Sequence, residues 1–430
     1  MTTQKPVSVA YITSDFPTLT ESFIRREVQE VRALGVPLTV YSLRPCPSRL
    51  DDPALSCFVK GTAYSPWLFS RGLLAAHLYF LRRQTGRYMS ALWLCCRTAL
   101  RHARHPDMSL KTFVIFPKTV YFARLMAERG VTHVHSHFAN HPTTAAMLIS
   151  VLLGLPFTFT GHAWDIFVTK NHAMLREKIA RARVVVTCTQ FNRAFLSAFC
   201  DDEAEAKIVV RYHGVSLPDT WPHRREPGLI LGVGRLARQK GFVHLILACA
   251  QLAREGLEFR CVIVGEGPER SSLEVEIQDA GLAGRVALIG ARPHKEVMGL
   301  LAQAAVLVQP SVRTEDDSMD GIPNVILEAF SLETPVISTQ LSGIPEVVRE
   351  AETGRLVPPG NAAALAEAIR GVLRDPEAHA AFARRGRELV ADRFNVQRNV
   401  RGFLEAILGD GVEAGEDRLA RVAHSPVCLP

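Results

Sequence analysis

Residues 229–241 read Leu-Ile-Leu-Gly-Val-Gly-Arg-Leu-Ala-Arg-Gln-Lys-Gly, and this stretch decides the fold class of the chain. An apolar run gives way at Gly232 and Gly234 to a turn in which backbone can approach a ligand without obstruction by a Cβ atom. A helix-length segment follows, and Arg235 and Lys240 place two cations beside its start, where the helix dipole favours an anion. The stretch predicts a diphosphate-binding turn in a parallel α/β domain. A strand–helix turn with two solvated cations is equally compatible with it.

Short β-branched runs alternate with helix-length segments along the whole chain, which is typical of parallel sheets covered by helices. The first half contains six strand candidates: Val7–Thr13, Leu38–Ser42, His133–Ser136, Phe157–Gly161, Arg183–Thr187 and Lys207–His213. The second half contains six more: Gly228–Gly234, Arg260–Gly265, Val286–Gly290, Ala305–Pro310, Thr334–Ser338 and Arg355–Val357. Because ligands of open α/β sheets bind beyond the carboxyl ends of the strands, the functional residues are expected there.

The 430 residues are too many for one ordinary core and suit two domains of roughly 200 residues each. Residues 1–214 are predicted to form an N-terminal domain, and residues 229–408 a C-terminal domain. The proline-rich segment 215–228 has no periodicity and is predicted to be a linker. The last helix is expected to close near Leu408, where it can pack back on the first domain, and 409–430 to form a flexible tail.

The composition is that of a folded protein, with 47% hydrophobic and 22% charged residues. Its nine scattered cysteines include no Cys-x-x-Cys pair, which indicates reduced thiols in a cytoplasmic setting rather than disulfides or zinc. Residues 1–6 carry no signal-peptide core, and no stretch reaches about 18 uninterrupted apolar residues. The chain is therefore expected to be cytoplasmic and to have no membrane-spanning helix.

Positive charge is concentrated in one region of the chain. Twelve Lys and Arg residues lie between Lys60 and Arg129 against only two acids, whereas the whole chain carries +7. Within this region, Trp67–Arg104 interleaves aromatic and leucine residues with arginines, which predicts peripheral contact with an anionic membrane, at the inner face of the cytoplasmic membrane. Core helices with solvated arginines are the alternative. Nucleic acid is not expected as a partner, because no nucleic-acid-binding motif accompanies the charge.

The most informative segment of the second half is Ser311–Phe330, a polar acidic loop that leads into a helix. Asp320 and Glu328 stand eight residues apart, on either side of a Gly-Ile-Pro-Asn turn. A carboxylate can accept hydrogen bonds from vicinal sugar hydroxyls, so the two acids suit a sugar nucleotide. Simple helix capping is the alternative, but Glu328 lies on an otherwise apolar helix face, which favours binding. The turn should also leave three backbone amides free for an anion or a hydroxyl, those of Gly321, Ile322 and Asn324.

Histidines and acids follow the predicted strands of the first half. His135 and His137 end one strand, but no carboxylate or cysteine stands at ligand spacing nearby, so histidines that are buried or that line a ligand cleft are favoured over a metal site. His162 and Asp165 follow the next strand, where a neutral imidazole could bond a sugar hydroxyl or stabilise the departing glycosyl group; a structural histidine is the alternative.

The loop after the first strand, Ser14–Phe23, contains Thr20 and Glu21 just before a helix. Glu21 has the position of a helix-capping residue. The same loop could equally contact a bound ligand.

Several motifs occur in a fixed order: Gly-Arg-Leu-x-x-x-Lys-Gly, Val-Gly-Glu-Gly-Pro, an acidic-x7-Glu motif followed by Ala-Phe-x-x-x-x-Pro-Val-Ile, and Ser-Gly-Ile-Pro-Glu. Together they resemble the C-terminal domain of family 4 retaining glycosyltransferases, which have the GT-B fold of two Rossmann-like domains facing one another across a donor cleft. Phe-Pro-Thr-Leu-Thr-Glu-Ser-Phe, His-Ser-His-Phe and Thr-Gly-His-Ala-Trp-Asp-Ile resemble the bacterial exopolysaccharide and colanic-acid branch. The resemblance covers roughly residues 7–408, and it implies that the N-terminal domain binds the acceptor and the C-terminal domain binds the donor. In this setting the loop Ser14–Phe23 could contact the donor phosphate or the acceptor.

The resemblance implies roles for individual residues. Arg235 and Lys240 match the pair that contacts the donor diphosphate, and Glu328 matches the acid that binds the nucleotide ribose. Asp320 matches the acid near the transferred sugar, where the family usually has Glu, so its reach is shorter by one methylene. Glu266 is expected close to the nucleotide or, equally, to be a turn residue. In the first domain, one histidine important for transfer is matched, His162.

The implied reaction transfers a hexose from a nucleoside diphosphate sugar to a hydroxyl of a lipid-linked saccharide acceptor, with retention of configuration. No carboxylate pair with a glycosidase-like disposition is evident, so attack on the same face is favoured over double displacement. No metal or other cofactor is expected, because the two cations neutralise the diphosphate. A nucleotide-sugar epimerase of the same fold and a non-catalytic protein that binds a membrane or polyanion are the alternatives.

Overall fold

A computed structural model describes residues 7–18, 21–44, 53–168, 172, 174–218, 220–221 and 225–409. The chain divides into two compact units. The first contains the described residues up to Cys188, together with Arg193–Arg211 and those from Val400 onward. The second contains Thr189–Asn192 and Tyr212–Asn399.

The first unit is built on a seven-stranded parallel sheet of order β3-β2-β1-β4-β5-β6-β7. Its strands are β1 Val9–Thr13, β2 Leu38–Ser42, β3 Thr62–Tyr64, β4 His133–His137, β5 Phe157–Gly161, β6 Val184–Thr187 and β7 Ile208–Val210. The central strands β1, β4 and β5 are buried along their whole length, as expected for a parallel sheet covered on both faces.

Ten helices begin before the second sheet in the part of the chain that the structure describes. They are α1 Ser22–Ala33, α2 Pro53–Lys60, α3 Arg71–Arg83, α4 Thr85–Arg101, α5 Pro106–Glu128, α6 His141–Leu153, α7 Trp164–Phe167, α8 Leu175–Arg181, α9 Gln190–Ser197 and α10 Asp202–Glu205. Helix α6 packs on α4 and α5 and is buried on nearly all sides, so α4 and α5 form an outer helical layer over it. No described helix is long and apolar enough to cross a membrane.

The second unit is built on a six-stranded parallel sheet of order β10-β9-β8-β11-β12-β13. Its strands are β8 Leu229–Val233, β9 Arg260–Val264, β10 Val286–Leu288, β11 Val306–Gln309, β12 Val336–Thr339 and β13 Arg355–Val357. Its helices, the last of which continues into the first unit, are α11 Phe242–Arg254, α12 Arg270–Asp279, α13 His294–Gln303, α14 Asn324–Ser331, α15 Ala362–Arg374, α16 Pro376–Arg393 and α17 Val396–Leu408.

Two apolar clusters cover the two faces of this second sheet. Ile230 belongs to the cluster formed with α11, α12 and α15, and its neighbour Leu231 to the cluster formed with α13 and α14. Successive strand residues point to opposite faces, so one short apolar strand supplies both cores. Burial of each Leu or Ile contributes about 1.5–3 kcal/mol, which explains why runs of only four or five residues suffice to place the strands.

Backbone hydrogen bonds join the loops at the carboxyl edge of the second sheet. The amide of Gly234 donates to Val264 (2.9 Å) and that of Gly265 to Gly290 (3.0 Å). Gly265 has φ +149°, and a Cβ atom there would lie 1.8 Å from the carbonyl oxygen of Gly234. Gly241 has φ +66°, and its Cβ would lie 2.0 Å from the oxygen of Pro310. Both positions therefore require glycine, and the loops after β8, β9 and β11 form one backbone platform.

Most of the segment predicted as a linker packs on the second unit. Val215 is buried in the core that includes α13 and α14, and Trp221 packs against that core. The Arg225 guanidinium donates to the carbonyls of Leu332 (2.8 Å) and Ala304 (3.0 Å). Residues 219 and 222–224 of this segment lie outside the described residues.

The C-terminal helix α17 ends at Leu408, as expected from the sequence. Its residues from Val400 onward belong to the first unit. There the ring of Phe403 meets that of His135 edge-on, with 5.0 Å between centroids, and Arg211 donates to the carbonyl of Gly402 (2.9 Å). The predicted tail lies outside the described residues from position 410 onward.

Candidate functional site

Lys240 and Asp320 meet at the carboxyl edge of the second sheet. Lys240 ends the short 3-10 helix after β8, and Asp320 lies in the loop after β11. The Lys240 Nζ atom lies 2.9 Å from Oδ1 and 3.0 Å from Oδ2 of Asp320. Ser311 donates a third hydrogen bond to Asp320, from Oγ to Oδ2 at 2.8 Å. The structure thus brings together two predicted residues that are eighty positions apart.

This arrangement bears on the roles predicted for both side chains. Both carboxylate oxygens of Asp320 are already engaged, so its clearest function is to hold the Lys240 ammonium in place. An ammonium has three N–H donors, and Asp320 uses at most two of them. Each side chain retains about one sixth of its exposure, 17% for Lys240 and 16% for Asp320, so a ligand can still reach the pair.

Arg235 and Glu266 lie on neighbouring loops of the same edge. Arg235 is exposed and makes no ion pair with any described residue, so its guanidinium is available to an anion. The Glu266 carboxylate binds Arg270 (2.7 Å), while its carbonyl accepts from the amide of Leu236 (3.0 Å). The aliphatic chain of Lys240 lies beside Gly234, at ordinary contact distance (3.4 Å) from the position a Cβ atom would take there. Glu266 therefore has a structural role in the turn, and contact with a nucleotide stays a prediction for it.

Glu328 is a buried carboxylate on the second turn of α14, with only 7% of its surface exposed. Its flanking residues Leu327 and Ala329 belong to the apolar core. The Oε1 atom lies 3.2 Å from Nε2 of His294, the half-exposed first residue of α13. A carboxylate withdrawn from water in this way requires hydrogen-bonding partners. His294 was not predicted, since a single histidine at a helix start carries no motif.

The helix carrying Glu328 begins at Asn324, whose side-chain oxygen lacks a hydrogen-bond donor in the described part of the chain. Oδ1 of Asn324 is buried and has no hydrogen-bond partner among the described residues. Within the same part of the chain, the amides of Gly321 and Ile322 make no backbone hydrogen bond. An unsatisfied buried polar atom costs about 1–3 kcal/mol, which a ligand or an ordered water would recover. Two of the three predicted amides, those of Gly321 and Ile322, are therefore available to a ligand, and ligand contact at the Asn324 amide stays a prediction.

Glu346, in the Ser-Gly-Ile-Pro-Glu motif, has a different role from the other acids. Its two carboxylate oxygens accept from the amides of Gln190 and Phe191, both at 3.0 Å, and from the hydroxyl of Tyr212 at 2.7 Å. These bonds satisfy amides at the start of α9, where unpaired N–H groups favour a carboxylate. Glu346 is thus a capping residue.

Two predicted histidines pair in the first unit, where β4 and β5 end. His137 Nδ1 lies 3.3 Å from His162 Nε2, and the rings stack with centroids 5.5 Å apart. The other nitrogen of His162 lies 3.5 Å from Sγ of Cys188. Nε2 of His137 lies 3.4 Å from Oε1 of Glu27, beyond good hydrogen-bonding distance, so this contact is electrostatic at most.

Glu27 supplies a carboxylate beside these histidines that sequence spacing did not reveal. Its Oε1 and the ring nitrogens of His135 and His137 lie within 4.8 Å of one another, close enough to hold a metal ion. However, both His135 nitrogens already bond threonine hydroxyls (2.8 and 3.1 Å), and Glu27 accepts from Tyr11 (2.7 Å). Burial lowers the pKa of His135 well below its ordinary value, so this ring is neutral. The geometry favours a hydrogen-bonded network, and the absence of a metal stays a prediction.

Asp165 holds the backbone of the first-unit turns together. Its buried carboxylate accepts from the amides of Ala139 (2.6 Å), His162 (3.0 Å) and Ala163 (3.0 Å). The buried Lys178 completes the arrangement by donating to the carbonyl of Ala139 (2.7 Å). Burial lowers the pKa of Lys178 to about 7, while Asp165 opposes this shift. Asp165 is therefore a positioning residue for His162, and no oxygen of it is left for an acceptor.

Glu21 precedes α1 but makes no side-chain capping bond. Its Oε2 is buried and has no hydrogen-bond partner in the described part of the chain. Burial raises the pKa of this carboxyl to about 7, against the opposing effects of Thr18, His137 and Arg25. The geometry thus does not support the capping interpretation. Thr20, the other residue predicted in this loop, lies outside the described residues.

Comparison with known protein families assigns most of the second unit to a family. The family model for glycosyl transferases group 1 matches residues 217–389. This segment is a group 1 glycosyltransferase domain. The group 1 domain contains Arg235, Lys240, Glu266, Asp320 and Glu328, so the family resemblance found from their motifs is confirmed.

Curated relatives of this chain include bacterial polysaccharide enzymes. The chain is 37% identical over 197 residues to WcaL of Salmonella typhimurium, whose name assigns it to colanic acid biosynthesis as a glycosyltransferase; the match covers 44% of this chain and 48% of WcaL. It is 38% identical over 141 residues to the amylovoran biosynthesis glycosyltransferase AmsK of Erwinia amylovora, covering 33% of this chain and 35% of AmsK. The chain thus spans about half or less of the length of these relatives.

Solved structures extend the similarity beyond the group 1 domain. The Anabaena protein Alr3699/HepE, crystallised with UDP and glucose, superposes with a TM-score of 0.68 at 16% identity, covering 94% of this chain and 99% of HepE. At this identity the match shows the fold alone. The predicted GT-B fold with two Rossmann-like domains is confirmed.

The role assigned to Asp165 leads to a prediction about stability. Asp165→Asn turns an amide donor toward backbone N–H groups, so we expect the free energy of unfolding to fall by about 3 kcal/mol. Asp201→Asn is the matched control, because Asp201 caps the exposed helix α10 through one bond to Ala204 and Asn caps equally well. Urea unfolding measures both. If Asp165→Asn left stability unchanged but raised the KM for the acceptor, Asp165 would bind the acceptor rather than position the backbone.

Proposed function

We propose that this protein is a retaining hexosyltransferase that moves a hexose from a nucleoside diphosphate sugar to a hydroxyl of a lipid-linked saccharide, in exopolysaccharide or cell-surface glycan synthesis. The buried Glu328 and the Lys240–Asp320 pair at one sheet edge of a group 1 domain support the proposal best. The names of WcaL and AmsK support the polysaccharide setting.

Each group at the edge of the group 1 sheet suits one part of the donor. Glu328 can accept hydrogen bonds from ribose hydroxyls, with His294 beside it. The open polar groups at the start of α14 can meet a phosphate or a sugar hydroxyl. Arg235 and the Lys240 ammonium would face the diphosphate. The HepE structure, solved with UDP and glucose, supports a donor of this class.

Transfer requires stabilisation of the negative charge that grows on the leaving diphosphate. Lys240 is well suited to this, because Asp320 fixes its Nζ atom before the substrate arrives, and preorganised charges are the effective ones. Asp320 is tied to Lys240 and Ser311, which makes it a poor nucleophile for a covalent intermediate. We therefore propose attack on the same face of the sugar, with the leaving phosphate accepting the acceptor proton.

In the first unit, His162 is the proposed catalytic partner. His137 and Cys188 each contact one nitrogen of its ring, and Asp165 holds its backbone amide. We propose that the ring bonds a sugar hydroxyl, and that Glu21 provides an acceptor-side carboxyl whose buried oxygen still needs a partner.

The proposal is tested by incubating the purified full chain with a panel of nucleotide sugars, with and without a lipid-linked saccharide, and measuring nucleoside diphosphate release. Release that depends on the acceptor, with an unchanged anomeric configuration in the product, is expected. A converted nucleotide sugar without release would indicate an epimerase. Donor binding without either product, or no binding at all, would favour a non-catalytic role.

An exposed apolar and basic surface supports contact with a membrane. It lies on and before α3 and α4, where Trp67 is 88% and Phe69 97% exposed. Further exposed apolar residues are Leu74, Leu78, Leu81, Met89, Trp93 and Leu100. Exposed arginines lie among them at Arg71, Arg82, Arg83, Arg87, Arg101 and Arg104. We propose that this surface, Trp67–Arg104, binds the anionic inner face of a membrane and so brings the enzyme to its acceptor.

The membrane proposal predicts charge-dependent binding to vesicles. Each engaged basic residue contributes about 1 kcal/mol, so Arg82/Arg83/Arg87→Glu should weaken binding to anionic vesicles at least about 100-fold. Co-sedimentation with anionic and neutral vesicles measures this, and high salt should weaken wild-type binding. The control is Arg254/Arg374/Arg384→Glu, three exposed residues of the second unit with the same change in net charge. Equal sedimentation of both triple variants would exclude this surface as the membrane contact.

A further inference from the structure

A pocket of about 460 Å³ opens beside the exposed apolar residues of α4. Three helices of the first unit line it: α4, α6 and α8. Its lining residues are Met89, Ser90, Trp93, Leu94, Val151 and Arg181. The four residues from α4 lie on one side of the helix, since positions three and four apart are neighbours along a helix. The pocket falls within the range of small-molecule sites and is mostly apolar.

Arg181 lines the pocket, and the charged groups that adjoin it are more positive than negative. Glu177 pairs with both Arg97 and Arg181, so two guanidiniums share one carboxylate. The Arg97 guanidinium also lies over the ring of Trp93, with its central carbon 4.9 Å from the centroid. Nε of Arg97 is buried and has no hydrogen-bond partner among the described residues. One net positive charge and one unfilled N–H donor thus stand next to an apolar wall.

We infer that this pocket binds the hydrocarbon chain of an anionic lipid, with its phosphate at Arg97 and Arg181. The inference rests on the proposed membrane contact and adds a specific lipid site to it. An apolar cavity with adjoining cationic groups fits a molecule with an apolar chain and a single anionic head. The charge of the region, twelve cations against two acids between Lys60 and Arg129, favours an anionic ligand over an apolar protein helix.

Calorimetry with soluble single-chain probes below their micelle concentrations tests the inference on the full chain. Octyl phosphate is the probe, ethyl phosphate carries the head alone, and octyl glucoside carries the chain with a neutral head. We expect octyl phosphate to bind at least tenfold more tightly than either comparator. From butyl to octyl phosphate, affinity should rise by about fourfold per methylene, as for burial in an apolar site. Equal affinities for ethyl and octyl phosphate would overturn the inference, because only an anion site would remain.

Two variants distinguish binding of the hydrocarbon tail from binding of the phosphate head. Ser90→Trp fills the pocket from an exposed position and should weaken octyl phosphate binding at least tenfold. Leu100→Trp adds the same ring to an exposed position of α4 outside the pocket and should bind as wild type does. Arg181→Gln should reduce octyl phosphate to the level of octyl glucoside without affecting octyl glucoside itself. If Ser90→Trp bound octyl phosphate with wild-type affinity, the hydrocarbon tail of the probe would have to bind outside this pocket.

A spectroscopic measurement keeps the inference testable if Ser90→Trp does not fold. In a Trp67→Phe background, octyl phosphate should shift the fluorescence of Trp93, and Trp93→Phe should abolish that shift; an unchanged spectrum would overturn the inference. Vesicle binding distinguishes this result from failure of the membrane proposal. If wild type sediments with anionic vesicles but binds no octyl phosphate, the pocket inference fails and the membrane proposal stands. If wild type ignores vesicle charge, the membrane proposal itself fails.

Discussion

The Glu328→Ala variant is expected to bind its nucleoside diphosphate at least about 100-fold more weakly than wild type. Hydrogen bonds to a charged group contribute about 1.5–3 kcal/mol each, and a buried carboxylate facing two ribose hydroxyls can make two. Glu328 is buried on an apolar helix, with His294 as one neighbour, so water cannot replace the lost acceptor well. The loss of affinity is measured by isothermal titration with the nucleoside diphosphate that the panel of nucleotide sugars identifies as the product.

Two variants control for indirect effects of this substitution. Glu328→Gln keeps the shape of the side chain and should retain the fold while losing most of the affinity. Glu258→Ala removes an acid that is 89% exposed and should leave affinity unchanged. If Glu328→Ala binds as wild type does, the ribose lies elsewhere and Glu328 serves only to hold His294.

The Lys240→Ala variant is expected to lower kcat by about 100- to 1000-fold, with a smaller change in donor KM. Removing one preorganised group that stabilises transition-state charge costs about 3–4 kcal/mol. Arg235→Ala should act in the same direction, since Arg235 is exposed and follows β8 at the same edge of the sheet. Steady-state kinetics with the cognate donor provides the measurement. Near-normal kcat in Lys240→Ala would place the diphosphate away from this loop.

The Lys240–Asp320 geometry adds a second expectation to this experiment. If Asp320 acts through Lys240, Asp320→Asn should lower kcat on its own but have little further effect in the Lys240→Ala background. Independent contact between Asp320 and the sugar would instead make the two losses additive. Asp320→Glu restores the longer side chain that is usual in the resembled family. This variant should retain the ion pair with Lys240 and change the KM for the donor more than kcat.

Much of the fold could be predicted because its strands are short, buried and apolar. Each of the twelve predicted strands coincides or overlaps with an observed one, since few alternatives exist for a buried β-branched run that ends in Gly, Ser or Thr. The exception is β3, Thr62–Tyr64, at the edge of the first sheet. Its three half-buried residues show neither alternating polarity nor an apolar run. The strand therefore forms because it pairs with β2, and no local sequence pattern predicts it.

The candidate site was predictable as a set of residues but not as a set of contacts. Arg235, Lys240, Asp320 and Glu328 stand in local motifs. The pairing of Lys240 with Asp320 depends on where two loops end in space, and no local pattern encodes it. Glu27 and His294 could not have been found, because each is a single residue on an ordinary helix whose partner lies at a distant position in the chain.

The glycine platform beneath the group 1 site restricts how this protein can be re-engineered. Gly241 and Gly265 leave no room for a side chain, and the loops around them hold one another through backbone bonds. Libraries that lengthen or recombine these loops should therefore yield mostly unfolded protein. The exposed stretch around Arg313 and Asp317, which bonds mainly to itself, is the segment in which inserted residues can be accommodated. New donor preferences in this scaffold should therefore arise from exchanged side chains and from that one loop.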